Sequence, residues 1–136
     1  MLVLTSSGLF GSPMKLDILF GLFFGFMSVL LGAFASHGLK SKVSPEDLAI
    51  FEIGVRYQMY HALALLFLGL FKFQNGLRDF QSASWLFIFG VFLFSGSLYA
   101  LTFFKTKFIG ILTPIGGSLL LAAWGVAFYK VFRLKF

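Results

Sequence analysis

Cysteine is absent from this chain of 136 residues, and proline occurs only three times. Without cysteine there is no disulfide framework, thiolate nucleophile or cysteine metal site. Charge is also scarce, because charged residues make up 12% of the chain, against about 25% in soluble proteins. A soluble domain of this size needs a largely polar surface. These shortages argue against a soluble enzyme, a disordered chain and a nucleic-acid-binding module.

Hydrophobic residues are abundant instead, at 59% of the chain with a mean hydropathy of +0.94. Four apolar runs cover residues 18–36, 53–71, 85–104 and 108–129. Each is close to the ~20 residues that a helix needs to cross the hydrocarbon of a bilayer. The sequence therefore predicts an all-α fold, an integral membrane four-helix bundle. We expect one domain over residues 14–136, with helices at about 16–36, 45–73, 84–104 and 108–130.

The first 13 residues do not fit this pattern, and they lack the basic start of a signal peptide. Met14 and Lys15 directly precede the first apolar run and resemble a natural start. We interpret residues 1–13 as a disordered lead or a mis-called translation start.

Local signals mark the second helix and the last connection. Ser44 provides a capping hydroxyl, Pro45 suits the first helical position, and Asp47 follows in the first turn. The stretch 105–107 between the last two apolar runs is short, so the third and fourth helices should be antiparallel neighbours. We also expect short connections at 37–43 and 72–84.

Basic residues lie between the apolar runs and at the chain end, and they predict the orientation. One side collects Lys15, Lys72, Arg78, Lys130, Arg133 and Lys135. The other side collects Lys40, Lys42, Lys105 and Lys107. This bias predicts that both termini are cytoplasmic. With a net charge of +6, the expected partner is anionic membrane lipid and not nucleic acid.

Scarce polar side chains gather towards one side of the membrane if the chain crosses four times. The predicted polar cluster, a ligand site or a structural feature, contains His37, Glu52, Arg56, Tyr57, Gln58, His61, Tyr99, Thr102 and Thr113. An arginine within the membrane costs at least ~2.5 kcal/mol unless it is paired or near water. Glu52 and the tyrosine hydroxyls are the predicted partners of Arg56.

Structural roles are open for the same residues. Glu52 and Arg56, four residues apart, suit an interfacial salt bridge that sets helix depth. His61 suits either a structural bond to a neighbouring helix or a proton relay. His37 and His61 lie at different depths, which disfavours a haem between them, and no ligand spacing supports a metal site. We therefore predict no cofactor, no metal and no catalytic residue.

Small residues form a predicted packing seam along the first helix. Its members include Gly21, Gly25, Ser28 and Gly32, at spacings that alternate between four and three. Helices in lipid associate through close backbone contact at such residues. We interpret the seam as packing within one chain, with a homo-oligomer as the alternative. In the fourth helix, Pro114 predicts a kink or hinge, and Gly117 lies beside it as a packing position.

Four ordered motifs carry a resemblance to a known family. They are GAFASHGLK at 32–40, RYQMYHALALL at 56–66, FSGSLY at 94–99 and TPIGG at 113–117. Together they resemble the small membrane proteins grouped as domain of unknown function 423, whose animal relatives are called transmembrane protein 256. The chain departs from the family at Ala35-Ser36, where Gly-Ala usually precedes the histidine. The resemblance implies a four-span protein of the bacterial inner membrane without an established activity, and it supplies no catalytic residues.

Three functions are open at this point. The first is a non-enzymatic membrane protein that binds a lipid, a small ligand or a protein partner through the polar cluster. The second is a small oligomeric transporter or proton/ion conductor with Arg56 and His61 in its path. The third is a membrane enzyme acting on lipid or quinone, which the lack of a legible catalytic pair disfavours.

Overall fold

The computed structural model describes residues 13–75 and 80–134, nearly all of which are helical. The helices are α1 (Pro13–Phe34), α2 (Pro45–Asn75), α3 (Gln81–Phe104) and α4 (Lys107–Phe132). A π-helical turn, Ala35–Leu39, extends α1. This architecture confirms the predicted all-α membrane bundle. Pro13 belongs to α1, and the rest of the predicted lead lies outside the described residues.

The helix ends differ from the sequence prediction at two connections. His37 lies in the π-helical turn and not in a loop. Helix α2 continues to Asn75, beyond its predicted end at 73. The predicted start of α2 is confirmed, since Ser44 Oγ accepts a hydrogen bond from the Asp47 backbone N–H at 3.1 Å. The capping hydroxyl thus satisfies one of the free N–H groups at the helix start.

The four helices pack in chain order, each antiparallel to the next. Lys105 Nζ lies 2.9 Å from Asp47 Oδ2, so the α1–α2 and α3–α4 connections share one end of the bundle, here called the connection end. At the opposite end, here called the terminal end, α2 finishes beside the start of α1 and of α3. The end of α1, the start of α2, the end of α3 and the start of α4 therefore lie together at the connection end, as the predicted up-and-down threading requires.

Three helices are long and apolar enough to cross a membrane: Met14–Leu39, Gln81–Phe104 and Lys107–Phe132. Helix α2 is not among them because acidic, basic and amide side chains interrupt its apolar run. A fourth crossing by α2 stays a prediction. Its antiparallel position between α1 and α3 supports it.

Close backbone contact joins the helices at only some of the predicted small residues. A Cβ on Gly21 would lie 2.7 Å from the Leu66 side chain, so α1 and α2 touch there. Gly32 makes an ordinary contact with Val55. Gly25 departs from the predicted seam, because a Cβ there would meet no atom within 4 Å. The seam therefore makes contact at Gly21 and Gly32 but not at Gly25 between them.

The remaining packing residues lie in two places. Ser28 is buried in α1, and its hydroxyl has no hydrogen-bond partner among the described residues. Pro114 lies within α4, which continues through it. Gly117 faces the Phe94 ring, but Gly116 makes the tighter contact, since a Cβ there would collide with the Phe94 backbone. The tight contact of α3 and α4 at this level is therefore made by Gly116, the neighbour of Gly117.

Candidate functional site

Gln58 and Tyr99 form the centre of the buried part of the polar cluster. Gln58 Nε2 donates to the Phe24 carbonyl of α1 at 3.0 Å. Tyr99 in α3 donates its hydroxyl to Gln58 Oε1 at 2.9 Å. The Tyr99 ring also lies against Gly54, where a Cβ would come within 2.7 Å of it. Gln58 thus links three helices, and its amide is satisfied on both sides.

Hydroxyl groups add further links between neighbouring helices. Ser95 of α3 donates to the Gly54 carbonyl of α2 at 2.8 Å. Thr102 donates to the carbonyls of Leu98, at 3.1 Å, and Asp47, at 3.4 Å. Ser97 and Thr113 join α3 to α4 through their hydroxyls at 2.7 Å. Such bonds connect helices in a medium that offers no water as an alternative partner.

His61 is held in one tautomer by its two partners. Its Nδ1 lies 2.6 Å from the Tyr57 carbonyl, and its Nε2 accepts from Trp124 Nε1 at 3.2 Å. A carbonyl only accepts and an indole N–H only donates. The ring is therefore neutral with its proton on Nδ1. A second proton on Nε2 would face the indole N–H, so this arrangement favours the structural role over the proton relay.

Exposed members of the cluster lie on the outer face of α2 and at the connection end. Arg56 Nε donates to the Glu52 carbonyl at 3.5 Å. Within the described residues, no carboxylate lies within salt-bridge distance of Arg56. The expected Glu52–Arg56 ion pair is therefore not formed. His37 is also exposed and lies apart, beyond the end of α1.

Two neighbouring cavities lie between α2 and α4 with α3 behind them, and together they are here called the groove. Its first chamber, of about 320 Å³, is lined by Tyr57, Tyr60, His61, Phe94, Gly117 and Trp124 among others. Its second chamber, of about 370 Å³, lies nearer the terminal end and is lined by Phe67, Phe71, Phe80, Phe87, Phe128 and Trp124 among others. Trp124 borders both chambers, and its bond to His61 spans the groove.

A buried ion pair at the terminal end was missed by the sequence analysis. Lys72 Nζ lies 2.7 Å from Asp17 Oδ2, and both side chains are fully buried. The ammonium group also donates to Ser84 Oγ at 2.6 Å and to Gln81 Oε1 at 3.4 Å. Asp17 at the start of an apolar run was the available signal, since a carboxylate in lipid needs a partner. Lys72 lies at the terminal end, on the side where it was counted with the other basic residues, but it is buried in an ion pair and not exposed to lipid headgroups.

Asp47 is the ionised group that joins the two connections. It accepts hydrogen bonds from Lys105 and from the Ser44 hydroxyl, and these hold the pKa of the Asp47 carboxyl below its usual value. Among the residues that the structure describes, no three histidine, aspartate or glutamate side chains are grouped to hold a metal ion.

These observations define the class of the chain. It is a multi-pass α-helical membrane protein with a polar cluster and with a groove between α2 and α4. It belongs to the family described as "Protein of unknown function (DUF423)", whose profile matches residues 31–117. The resemblance found in the sequence is thereby confirmed.

Similar proteins occur in several bacteria. A UPF0382 membrane protein of Staphylococcus haemolyticus is 40% identical over 120 residues, which cover 88% of this chain and 98% of that protein. The UPF0382 membrane protein YwdK of Bacillus subtilis is 38% identical over 112 residues, 82% of this chain and 91% of YwdK. A UPF0382 membrane protein of Haemophilus influenzae is 42% identical over 112 residues, 82% of this chain and 89% of its own length. No solved structure matches the chain.

Proposed function

We propose that this membrane protein binds an anionic lipid, with the headgroup at Arg56 and the tail in the groove between α2 and α4. The observation that carries the proposal is an exposed arginine, more than two helical turns inside α2, that no described carboxylate neutralises. An arginine at such a depth is costly without an anionic or hydrated partner. A lipid phosphate supplies that partner with a geometry that guanidinium favours.

The direction of the Arg56 side chain supports a headgroup at the connection end. Its Nε bonds to the carbonyl one turn earlier, at Glu52, so the guanidinium points towards the start of α2. Side chains on a helix lean this way, and long cationic ones extend towards the membrane surface. The charge therefore lies nearer the headgroup region than the Cα of Arg56 does.

Two tyrosines continue the site from Arg56 into the groove. Tyr57 and Tyr60 both line the first chamber, and their rings lie 5.9 Å apart between centroids. Neither hydroxyl makes a hydrogen bond with another described residue, and both side chains are exposed. A phenol hydroxyl that faces the hydrocarbon of a membrane has no water to bond, so leaving it without a partner is costly. The ester or phosphate oxygens of a lipid bound at Arg56 would be acceptors at the depth of these two hydroxyls.

The test is binding of a short anionic amphiphile to the full chain purified in mild detergent. Native mass spectrometry with farnesyl phosphate should detect a one-to-one complex. Arg56→Gln should weaken it by about tenfold, the effect of losing one charge-assisted contact. Lys42→Gln removes the same charge from the connection end outside the groove and should leave binding unchanged. Equal binding by wild type and Arg56→Gln would overturn the proposal.

Ion conduction receives less support from the same residues. The buried polar groups at the middle of the bundle bond to one another, as Gln58 does with Tyr99 and His61 with Trp124. They do not face a common polar path among the described residues. We also propose that the protein lies in the bacterial inner membrane with both termini in the cytoplasm, which the distribution of basic residues supports.

A further inference from the structure

The groove is longer than one leaflet of a membrane. From Arg56 to Phe71, α2 rises about 22 Å at ~1.5 Å per residue. One leaflet contributes about 15 Å, half of the ~30 Å hydrocarbon thickness. A lipid whose headgroup lies at Arg56 would need a tail that passes the middle of the bilayer to fill the second chamber. The chamber begins at Ala64, about 12 Å along α2 from Arg56, so a tail confined to one leaflet enters it but ends before its far side at Phe71.

The second chamber has the lining that a long tail requires. Its residues are all apolar or aromatic, and the aromatic rings of α2, α3 and α4 form rigid walls. Trp124 separates the two chambers, and His61 fixes its indole from one side while Phe87 packs edge-on against it at 5.1 Å. His61 is buried whereas 52% of Trp124 is exposed, so a single tail can pass from one chamber to the other over the exposed face of the indole, outside this bond.

We propose that the lipid bound at Arg56 is a single-tailed lipid phosphate with a tail longer than one leaflet, the chemical class of the polyprenyl phosphates. The inference rests on the proposed function, because it requires the headgroup to lie at Arg56. The first chamber holds the start of the tail beside Tyr57 and Tyr60. The second chamber holds the part that passes Trp124.

The experiment compares two lipid phosphates that share a headgroup and differ in tail length. Native mass spectrometry of the detergent-purified full chain measures its affinity for farnesyl phosphate and for undecaprenyl phosphate. The long probe should bind about fivefold more tightly, because its tail gains packing contacts with the second chamber. Equal affinity for both probes would overturn the tail assignment and leave the headgroup proposal standing.

A pair of matched variants localises the effect. Ala127 lines the second chamber, whereas Ala122, on the same helix, is exposed and lines neither chamber. Ala127→Phe should remove the preference for the long probe and leave farnesyl phosphate binding intact. Ala122→Phe should keep the preference. Similar behaviour of the two variants would overturn the inference.

Two readouts keep the outcomes distinct. If Ala127→Phe fails to fold, Val131→Trp tests the same chamber from its rim, where Val131 is exposed. Loss of both probes in Arg56→Gln, together with a tail preference in wild type, supports both proposals. Binding of the long probe that is insensitive to Arg56→Gln would refute the headgroup site. Preferential binding of a diacyl lipid such as phosphatidylglycerol over undecaprenyl phosphate would refute the tail class.

Discussion

Lys72 Nζ lies 2.7 Å from Asp17 Oδ2 in a part of the bundle where neither side chain is accessible. The pair joins the start of α1 to the end of α2, and Ser84 extends the contact to α3. Asp17 Oδ1 has no hydrogen-bond partner among the described residues. The pair therefore fixes the terminal end of the bundle, although its charges are costly to bury.

Removing one partner of this ion pair should destabilise the protein far more than removing both. Asp17→Asn or Lys72→Met leaves a buried unpaired charge, and we expect a loss of about 3–5 kcal/mol in the free energy of unfolding. The double variant should recover at least half of that loss. Denaturant unfolding in detergent micelles measures all four proteins. Additive losses would show that the two charges do not interact.

Two glycines of α4 should respond in opposite ways to alanine. Gly116→Ala places a Cβ against the Phe94 backbone, so α3 and α4 must separate and the unfolding temperature should fall. Gly125→Ala meets no atom within 4 Å. It should be neutral or stabilising, by up to ~1 kcal/mol from helix propensity. Thermal unfolding in detergent decides this, and equal effects would contradict the close helix contact.

Tyr99→Phe should cost about 1–3 kcal/mol, because it leaves the buried Gln58 Oε1 without its hydrogen-bond donor. Tyr60→Phe is the matched control. Its side chain is exposed, and its hydroxyl bonds to no described residue, so lipid-free stability should not change. Unfolding titrations compare the two variants with wild type. A Tyr99→Phe protein as stable as wild type would remove Gln58 as a link between helices.

The connection end should lose part of its stability in acid. The pKa of the Asp47 carboxyl is lowered by Lys105 and Ser44, so its contribution is complete above the unfolded value of about 3.9 and disappears as the pH falls through the lower folded value. Asp47→Asn removes this contribution at all pH values. The difference in unfolding temperature between wild type and variant should therefore be constant near neutrality and shrink below about pH 4. A difference that grows in acid would contradict the assignment.

The orientation can be tested with single cysteines, because the native chain has none. Lys42→Cys at the connection end should react with a membrane-impermeant maleimide added outside intact cells. Arg133→Cys at the terminal end should react only after permeabilisation. This pattern follows from termini in the cytoplasm. The reverse pattern would place the Arg56 headgroup site on the cytoplasmic face.

Several local features follow directly from the sequence. The Ser44–Pro45 start of α2 depends on neighbouring residues alone, because the capping hydroxyl reaches a backbone group three positions away. The short stretch after Phe104 forces α3 and α4 to be antiparallel. Because the helices alternate in direction, the end of α3, where Tyr99 lies, is at the same end of the bundle as the start of α2. The sequence therefore predicted that Tyr99 and Gln58 lie in the same cluster.

Other features depended on which residues face each other. Gly21 and Gly25 are one turn apart and look equivalent in the sequence, but only Gly21 meets a neighbouring helix. Arg56 has Glu52 at the spacing of an ion pair, yet its guanidinium bonds to the Glu52 carbonyl. The position along the α1–α2 contact decides the first case and the side-chain conformation of Arg56 decides the second, and periodicity alone defines neither.

The sequence by itself determined that the chain folds in a membrane, where its helices lie and that they alternate in direction. The physical basis is that hydropathy and segment length act locally along the chain. Only the tertiary structure decided that Lys72 is buried and that α2 and α4 leave a groove. The physical reason is that the environment of a side chain depends on distant partners. Lys72 follows an apolar run as an interfacial lysine would, and it becomes part of the core because Asp17 and Ser84 surround it with acceptors.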